Sequence, residues 1–564
     1  MFDTMLGTHG MSTSPPFPLA FHHPLSYNTH NYLHFYTKRK KLIGMGGFFR
    51  MLADNIQHLI AIIAYMAVVI TIGIVFAKRA NKNTEAYFLG GRTLGPWVSA
   101  FSAEASDMSG WLLMGLPGLA YWSGLADAGW TAIGLAIGTY LNWLIVSRRL
   151  RRYSVAVDAI TIPDFFSRRF HENKRVLMTI ASVMVIVFFT PYAGSCLMAC
   201  GKLFSQLFGA SYNTMVIVSA LFVLTYTFLG GFLAESTSDF MQAVVMITAL
   251  ILVVALGVAA AGGLGSVVAN AEKIPGFLSL FTSASPTGEA ANGVALFGDA
   301  KTYTGLTIVS TMAWGLGYFG MPQVLLRFMG IRSERELTRS RRIATVWVVV
   351  SLAAAVFIGI VGRVLYSDAY MVYGSGNTEN IFILMSVKML PPLLAGLVSA
   401  GILAAAISSS DSYLLISASA VSKNVWQGII RKNASDKETM LVSRVVLVLI
   451  TVFAIFVATG KNQVIFRIVD FAWAGFGAAF GPLVLFSLFW KRTTYAGAIA
   501  GMVSGGAMVF LWNFFISKLG GVWGIYELLP AFLFSCIVIV VVSLLTKKPG
   551  EAIQKEFDAV RAKA

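Results

Sequence analysis

Apolar residues run along this chain in long stretches that short polar segments separate. A helix needs about 20 consecutive apolar residues to cross a bilayer. Thirteen windows meet that requirement, at 57–77, 96–118, 125–147, 176–203, 211–230, 236–262, 303–325, 343–366, 395–422, 440–460, 464–489, 494–516 and 524–545. The pattern therefore predicts an all-α membrane protein with thirteen transmembrane helices, which we number as spans 1 to 13.

The composition excludes a soluble multi-domain protein. Of the 564 residues, 57% are hydrophobic and only 12% are charged, whereas soluble domains carry about 25% charged residues. The net charge of +17 does not indicate a nucleic-acid partner, because the basic residues fall in short loops between apolar runs. Such a distribution is typical of membrane topology.

The positions of the basic residues predict the orientation. Thirty of the 38 lysines and arginines after residue 50 lie in the tail or in loops that follow odd-numbered spans, including the loop that we begin at Arg327. Because positive loops stay in the cytoplasm, we expect a cytoplasmic carboxyl terminus and an outer amino terminus. The predicted location is the bacterial inner membrane, with the lipid bilayer as a partner.

Residues 1–50 differ from the rest, with several prolines and histidines and the basic run at 38–41. We interpret them as a disordered extension, followed by a transmembrane domain at 51–550 and a cytoplasmic tail at 551–564. The basic run would lie outside, against the charge rule. A start of the chain at Met45 or Met51 is an alternative that removes this conflict.

Span 2 contains an unusual polar stretch, with Glu104 and Asp107 among serines and glycines. A carboxylate at membrane depth is costly unless it is paired or binds an ion. Unwound backbone is tolerated there only where it lines a cavity. We therefore predict a broken helix around 106–110, with ion and solute sites at the break.

Span 7 carries a second predicted interruption, because three glycines and a proline fall within 314–322. The two interruptions lie five spans apart, so spans 2–6 and 7–11 would form two halves of opposite orientation. Interrupted helices at matching positions of inverted halves are typical of transporters. Close helix packing is the alternative explanation for each glycine cluster taken alone.

Span 9 supplies oxygen ligands, with four serines and Asp411 at 408–412. Hydroxyl and carbonyl oxygens suit a hard cation. Serines bonded to their own helix are the alternative. Asp239 and Glu235 near the start of span 6 are candidates for the ion path or are simply solvated acids at a helix start. The three cysteines lie in apolar runs and no histidine lies deep in a span, so we expect no enzyme and no histidine-based metal centre.

The segments at 90–118, 314–322, 401–410 and 471–490 resemble the sodium/solute symporter family, most closely its bacterial proline-transporting branch. The resemblance extends over about 55–560. It implies a leucine-transporter-like fold with a 5+5 inverted repeat. It also implies sodium-coupled uptake of L-proline by alternating access, with Na⁺ as the co-transported ion. No obligate protein partner is evident from the sequence.

The resemblance also assigns residues. Sodium ligands would be the carbonyls of Ala105, Met108 and Ala405 and the hydroxyls of Ser408 and Ser409, where serine stands in place of threonine at the last position. Asp107 would be the sodium-linked acid and Arg92 a coupling residue. Substrate-side positions would be Ser109, Gly110, Tyr192, Trp314, Tyr318 and Pro322. A second sodium site, known in some relatives, would use Asp239, Asp411 and Ser412.

Other interpretations remain open from the sequence. Betaine, pantothenate and sugar acids are alternative solutes within the family, and Met321 and Gln323 depart from the proline-transporting pattern. A membrane sensor is the rival from a different class, although fewer than twenty residues follow position 546. A channel is a further rival, which two broken spans around an acid fit less well.

Overall fold

The computed structural model describes residues 45–80, 82–289, 295–367, 376–460 and 464–562. Most of the predicted N-terminal extension, residues 1–44, lies outside these ranges. The part that is described is already helical, because the first helix begins at Met45. The first helix therefore starts six residues before the boundary that we predicted at 51.

Helices account for nearly all of the described chain. In chain order they are α1 Met45–Ala80, α2 Thr84–Leu89, α3 Pro96–Asp107, α4 Leu116–Ser123, α5 Leu125–Leu141, α6 Ser147–Ala156, α7 Ile162–Arg169, α8 Val176–Phe208, α9 Tyr212–Ala260, α10 Leu264–Ala271, α11 Gly305–Met312, α12 Pro322–Gly330, α13 Leu337–Leu365, α14 Ile381–Met389, α15 Pro392–Ser419, α16 Asp436–Ala458, α17 Ile465–Phe489, α18 Tyr495–Leu511, α19 Leu528–Leu545 and α20 Glu551–Ala562.

Tighter and wider helical turns join or extend these helices. Single-turn 3₁₀ segments lie at Gly90–Arg92, Glu334–Glu336, Gly376–Asn380, Ser517–Leu519 and Gly521–Trp523, and a longer one at Ala313–Phe319. Wider π-type segments lie at Trp111–Gly115, Asn142–Val146, Ala420–Ile430 and Trp512–Ile516. Such departures from the α-helix are frequent at functional sites.

Within the described ranges, ten helices are long and apolar enough to cross a membrane. The other three predicted windows hold the two interrupted segments and the shorter first part of α9, Tyr212–Phe228. The apolar windows of α15 and α17 are 83% buried, whereas that of α1 is 28% buried. The interior of the bundle is therefore built around α15 and α17, and α1 lies at its edge.

The break in span 2 has a local cause. Pro96 begins α3 at a position where its missing N–H costs nothing. The helix ends at Asp107 because Met108 leaves the helical region, with φ −83° and ψ 71°. Helical structure resumes as the wide turn Trp111–Gly115 and continues into α4. The interruption predicted at 106–110 is thus present, and it exposes the carbonyls of the last turn of α3 to other helices.

The break in span 7 is longer. After α11 the chain winds through a 3₁₀ segment, Ala313–Phe319, and Met321 is extended, with φ −75° and ψ 109°. Pro322 then starts α12. The two broken segments are joined at one end, because Leu94 N donates to Gly330 O over 3.2 Å and Arg332 N donates to Leu94 O over 3.0 Å.

The long segment at 263–302 contains one short helix, α10, and one feature that the sequence did not indicate. Strands β1 Thr282–Glu289 and β2 Ala295–Thr302 form an antiparallel hairpin with Thr282 opposite Thr302. The hairpin is a departure from the predicted all-α fold.

The predicted cytoplasmic tail is a packed helix. In α20, Phe557 and Val560 are buried. Arg152 Nη1 donates to Val560 O over 2.9 Å, and the guanidinium of Arg169 lies 5.3 Å from the centre of the Phe557 ring. The tail therefore helps to hold the ends of α6 and α7 together.

Candidate functional site

The last turn of α3 meets the serine cluster of α15 inside the bundle. Ser408 Oγ donates to Ala105 O over 2.8 Å and lies 3.2 Å from Ala405 O. Ser409 Oγ donates to Ala105 O over 3.4 Å. All four residues are buried. Four of the five predicted sodium ligands thus place their oxygens together, between a broken helix and an intact one. Oxygens of this kind suit a hard cation.

Met108, the fifth predicted ligand, ends α3 and is buried, and its N–H donates to Glu104 O over 2.8 Å. It lies on the same chain turn as Ala105. Within the described ranges, no group of three or more His, Cys, Asp or Glu side chains has the arrangement of a metal site. The candidate cation site therefore depends on carbonyl and hydroxyl oxygens.

Asp107 connects α3 to α12. Its Oδ1 accepts a 3.2 Å hydrogen bond from Gln323 Nε2, and its Oδ2 has no hydrogen-bond partner among the described residues. Both side chains are fully buried. Gln323 was noted in the sequence only as a departure from the family pattern, and no local signal assigned it to Asp107, 216 residues away.

The predicted substrate-side positions lie around the two breaks. Tyr192 donates from its hydroxyl to Asp107 O over 3.4 Å. Ser109 Oγ is buried and has no partner in the described part of the chain. A Cβ added at Gly110 would lie 2.5 Å from the Cβ of Ala199, so this position requires glycine for the close approach of α8.

Aromatic rings surround this region. The Trp314 ring lies 6.1 Å from those of Trp111 and Trp473 and stacks on Tyr526 at 5.3 Å. The Tyr318 ring meets Trp473 edge-on at 5.1 Å, and Pro322 follows at the start of α12. Such surfaces suit the apolar part of a small ligand.

Trp473 was missed from the sequence, although it lies in one of the segments that carry the resemblance. Its Nε1 donates to Trp314 O over 2.8 Å, and a Cβ at Gly317 would come within 2.0 Å of that nitrogen. Trp473 therefore fixes the 3₁₀ segment of the second break. A tryptophan in an apolar span has the pattern of a core residue, which is why the sequence did not indicate this contact.

Arg92 lies just before α3, in the left-handed region with φ 55°. Its guanidinium donates to Ala159 O over 2.6 Å, to Met329 O over 3.0 Å and to Ser154 Oγ over 3.2 Å. Burial, with a smaller contribution from Arg151, lowers the pKa of this guanidinium, which still stays charged at neutral pH. Arg92 thus ties the start of α3 to the ends of α6 and α12.

The residues of the predicted second sodium site surround an arginine. Asp239 Oδ2 and Ser412 Oγ accept hydrogen bonds from Arg327 Nη2, over 3.0 and 2.9 Å. Asp411 Oδ1 accepts from Ser412 N over 2.8 Å. Our assignment of Arg327 to a cytoplasmic loop was wrong, because it lies inside α12 and is fully buried.

A buried ion pair lies at the other end of the broken span 2. Lys202 Nζ is 2.5 Å from Glu379 Oε2. The same carboxylate accepts from the backbone N–H of Ile465 and Phe466 at the start of α17, over 3.2 and 3.1 Å. A Cβ at Gly118 would lie 2.9 Å from the Glu379 backbone. Glu379 thus joins α4, α8 and α17.

The chain resembles known transporters over most of its length. Residues 87–505 match the model of the sodium:solute symporter family. The sodium/proline symporter of Staphylococcus aureus is 40% identical over 514 residues, which cover 90% of this chain and 96% of that protein. The sodium/proline symporter of Haemophilus influenzae is 41% identical over 508 residues, which cover 89% and 97%.

The fold is also similar to that of a solved transporter. A Na⁺-coupled sialic acid symporter, in a substrate-bound outward-open state, superposes with a TM-score of 0.71 at 18% identity, covering 88% of this chain and 99% of that one. At this identity the likeness supports the fold alone. The match over 87–505 shows the family, and so does the 40% identity over 90% of this chain. This chain belongs to the sodium:solute symporter family.

Proposed function

We propose that this chain is a sodium-coupled symporter that takes up L-proline across the bacterial inner membrane. The observation that best supports this proposal is that the carbonyls of Ala105 and Ala405 lie close to the hydroxyls of Ser408 and Ser409. The two relatives that are 40–41% identical over nearly their whole length are sodium/proline symporters by name. Proline is therefore the solute that the comparisons favour.

The proposed topology has thirteen spans, with spans 2–6 and 7–11 as a leucine-transporter-like inverted repeat. The two interrupted segments support this proposal, since they occupy spans 2 and 7. The Leu94 to Gly330 contact that joins them would lie on the cytoplasmic side, together with Arg92. The amino terminus would lie outside and the carboxyl terminus inside, as the basic loops require.

In the proposed mechanism, sodium binds first. It would take oxygens that now hydrogen-bond to one another, with the Ala105, Met108 and Ala405 carbonyls and the Ser408 and Ser409 hydroxyls as ligands. The cation would thereby hold the end of α3 against α15. Asp107 would add negative charge nearby without contacting the ion, while Gln323 keeps its carboxylate in place.

Proline would then bind in the space between the two breaks. Its carboxylate would approach the backbone N–H groups around Ser109 and Gly110, and its ring would pack against Trp314 and Tyr318. Tyr192 and Pro322 would complete the site. Ligand binding would shift the population of conformations from outward-open towards inward-open, with Arg92 holding the cytoplasmic ends of the moving helices.

The sodium gradient would supply the work of uptake. A membrane potential of about 100 mV contributes roughly 2.3 kcal/mol for each charge moved. Because a factor of ten costs about 1.4 kcal/mol, one sodium ion per cycle concentrates the solute several tens of times before its own concentration gradient is added.

Uptake of radiolabelled L-proline into proteoliposomes tests the proposal. We expect accumulation with an inward sodium gradient and only equilibration when choline replaces sodium. Equal uptake under both conditions would contradict sodium coupling. Competition with unlabelled betaine, pantothenate and sialic acid tests the solute, and stronger inhibition by any of these than by proline would reassign it. Binding of proline without uptake would favour the alternative that the protein is a membrane sensor of this solute.

A further inference from the structure

Arg327 is a fully buried arginine whose guanidinium lies among residues to which the family resemblance assigned a second sodium ion. Nη2 contacts three oxygens, which belong to Glu235 at 2.5 Å, Ser412 at 2.9 Å and Asp239 at 3.0 Å. Nε donates to Ser102 Oγ over 2.9 Å. Helices α3, α9 and α15, which carry these residues, therefore all contact one side chain of α12.

The acceptors around Nη2 are those that a hard cation selects. Two carboxylate oxygens and one hydroxyl surround it, and Ser102 Oγ, which donates to Asp239 Oδ2 over 2.7 Å, stands beside them. Carboxylate and hydroxyl oxygens are hard ligands of the type that small cations take. The nitrogen thus occupies the position that an ion would fill.

Arg327 supplies the positive charge that contacts the carboxylates of Glu235 and Asp239 in this region. Glu235, Asp239 and Asp411 are all buried, and each has one carboxylate oxygen without a hydrogen-bond partner among the described residues. A buried charge without a partner of opposite sign is strongly unfavourable. Removal of the guanidinium would leave the carboxylates of Glu235 and Asp239 facing each other. Their mutual repulsion would favour the binding of another cation between them.

This network adjoins the candidate sodium site. Ser412 Oγ donates to Ser408 O over 3.0 Å, one helical turn along α15. Ser408 itself donates to Ala105 O. The guanidinium is therefore connected to the sodium ligands through a single turn of α15.

We propose that Arg327 is a tethered cation that takes the place of a second sodium ion and so sets the number of sodium ions bound to one. This inference rests on the proposed sodium symport and specifies its stoichiometry. The positive charge moves with α12 instead of crossing the membrane. The residues that would otherwise form a second site, Asp239 and Ser412, serve as its hydrogen-bond partners.

The test is equilibrium binding of sodium-22 ions to purified protein in liposomes, together with the sodium dependence of proline uptake. For the wild type we expect about one ion per chain and a Hill coefficient near 1, since that coefficient does not exceed the number of sites. For Arg327→Gln we expect about two ions per chain and a Hill coefficient that rises above 1.

Two further variants separate charge from packing. Arg327→Lys keeps the positive charge and should bind one ion. Arg327→Gln combined with Asp239→Asn removes a ligand of the new site and should return to one ion. Arg332→Gln is the matched control, because that arginine lies just beyond α12 and its side chain is 60% exposed; it should behave as the wild type does.

A count of two ions for the wild type would overturn the inference, as would an unchanged count of one for folded Arg327→Gln. If Arg327→Gln does not fold in choline, the inference requires sodium to raise the thermal unfolding midpoint of this variant by more than it raises that of the wild type. Failure of sodium to do so also overturns it. The ion count needs no transport, so it stands apart from a failure of proline uptake in the wild type.

Discussion

Ser408 donates a 2.8 Å hydrogen bond from its hydroxyl to the carbonyl of Ala105, across 303 residues of sequence. This contact joins an intact helix, α15, to the end of a broken one, α3. A carbonyl in the middle of a helix would be occupied by its own i+4 N–H. Ala105 accepts from α15 instead, because the helix stops two residues later at Asp107.

Replacement of Ser408 by alanine should raise the sodium concentration for half-maximal uptake by about tenfold, which corresponds to a loss of roughly 1.4 kcal/mol of binding energy. The variant removes one proposed ligand and leaves the backbone unchanged. Uptake of radiolabelled proline at increasing sodium concentration measures the effect. Proline affinity at saturating sodium should change less.

Ser410 offers a matched control on the same helix. Its hydroxyl donates to Ala406 O over 2.6 Å within α15, as serines often do in helices. Ser410→Ala should leave the sodium dependence near that of the wild type. Equal shifts in both variants would mean that the hydroxyls act through the helix and not as ligands.

Asp107→Asn should also weaken sodium binding, through charge alone. The amide oxygen can still accept from Gln323 Nε2, so the contact between α3 and α12 is retained. We expect about a tenfold rise in half-saturating sodium, since a loss of about 1.4 kcal/mol accounts for that factor, while the rate at saturating sodium is largely kept. Titration of uptake with sodium measures both quantities.

Glu104 lies one turn earlier in α3, and its Oε1 accepts from Trp143 Nε1 over 3.1 Å. Glu104→Gln removes the same charge from a side chain that contacts the π-type segment after α5 instead of α12. We expect a smaller shift for this variant. A shift as large as that of Asp107→Asn would show that the total negative charge matters and the position of Asp107 does not.

Gly110→Ala should destabilise the break by about 1–3 kcal/mol, the usual cost of overpacking. The added methyl group would lie 2.5 Å from the Cβ of Ala199 in α8. We expect a lower thermal unfolding midpoint and reduced uptake. If the clash is the cause, Ala199→Gly in the same chain should restore both, because it removes the atom that the methyl group meets.

The outcome of that double variant separates two roles for Gly110. Recovery of stability without uptake would indicate that the backbone N–H or flexibility of this glycine serves the substrate. No recovery of either would contradict the packing explanation. Ala199→Gly alone is the control and should cost roughly the 1 kcal/mol that glycine loses against alanine within a helix.

Sequence periodicity predicted the helices and both interruptions because each is encoded locally. Apolar runs of about 20 residues mark spans, and the glycines and Pro322 of the second break act within a few residues. The serine cluster at 408–412 was visible for the same reason. Its convergence with Ala105 was available only through the resemblance, since no local pattern encodes a contact over 303 residues.

Arg327 shows where sequence reasoning failed. One arginine after an apolar run has the pattern of a loop, and its acceptors Glu235 and Ser412 lie 92 and 85 residues away. Only the tertiary fold brings them to it. The hairpin β1–β2 was missed for a different reason, because its small and polar residues follow no clear alternation.

Glu379→Ala should impair both stability and uptake, because it breaks a buried ion pair with Lys202 and frees the N–H groups of Ile465 and Phe466. Removal of one partner of a buried pair typically costs about 3–5 kcal/mol. We expect a clear fall in the thermal unfolding midpoint and a loss of proline uptake in proteoliposomes.

Asp558→Asn is the control, since its pair with Lys491 is about half exposed and such pairs contribute at most about 1 kcal/mol. Glu379→Gln should lie between the two, because the amide oxygen can still accept one N–H. If Glu379→Ala unfolds no earlier than Asp558→Asn, the carboxylate does not hold α17 to its neighbours.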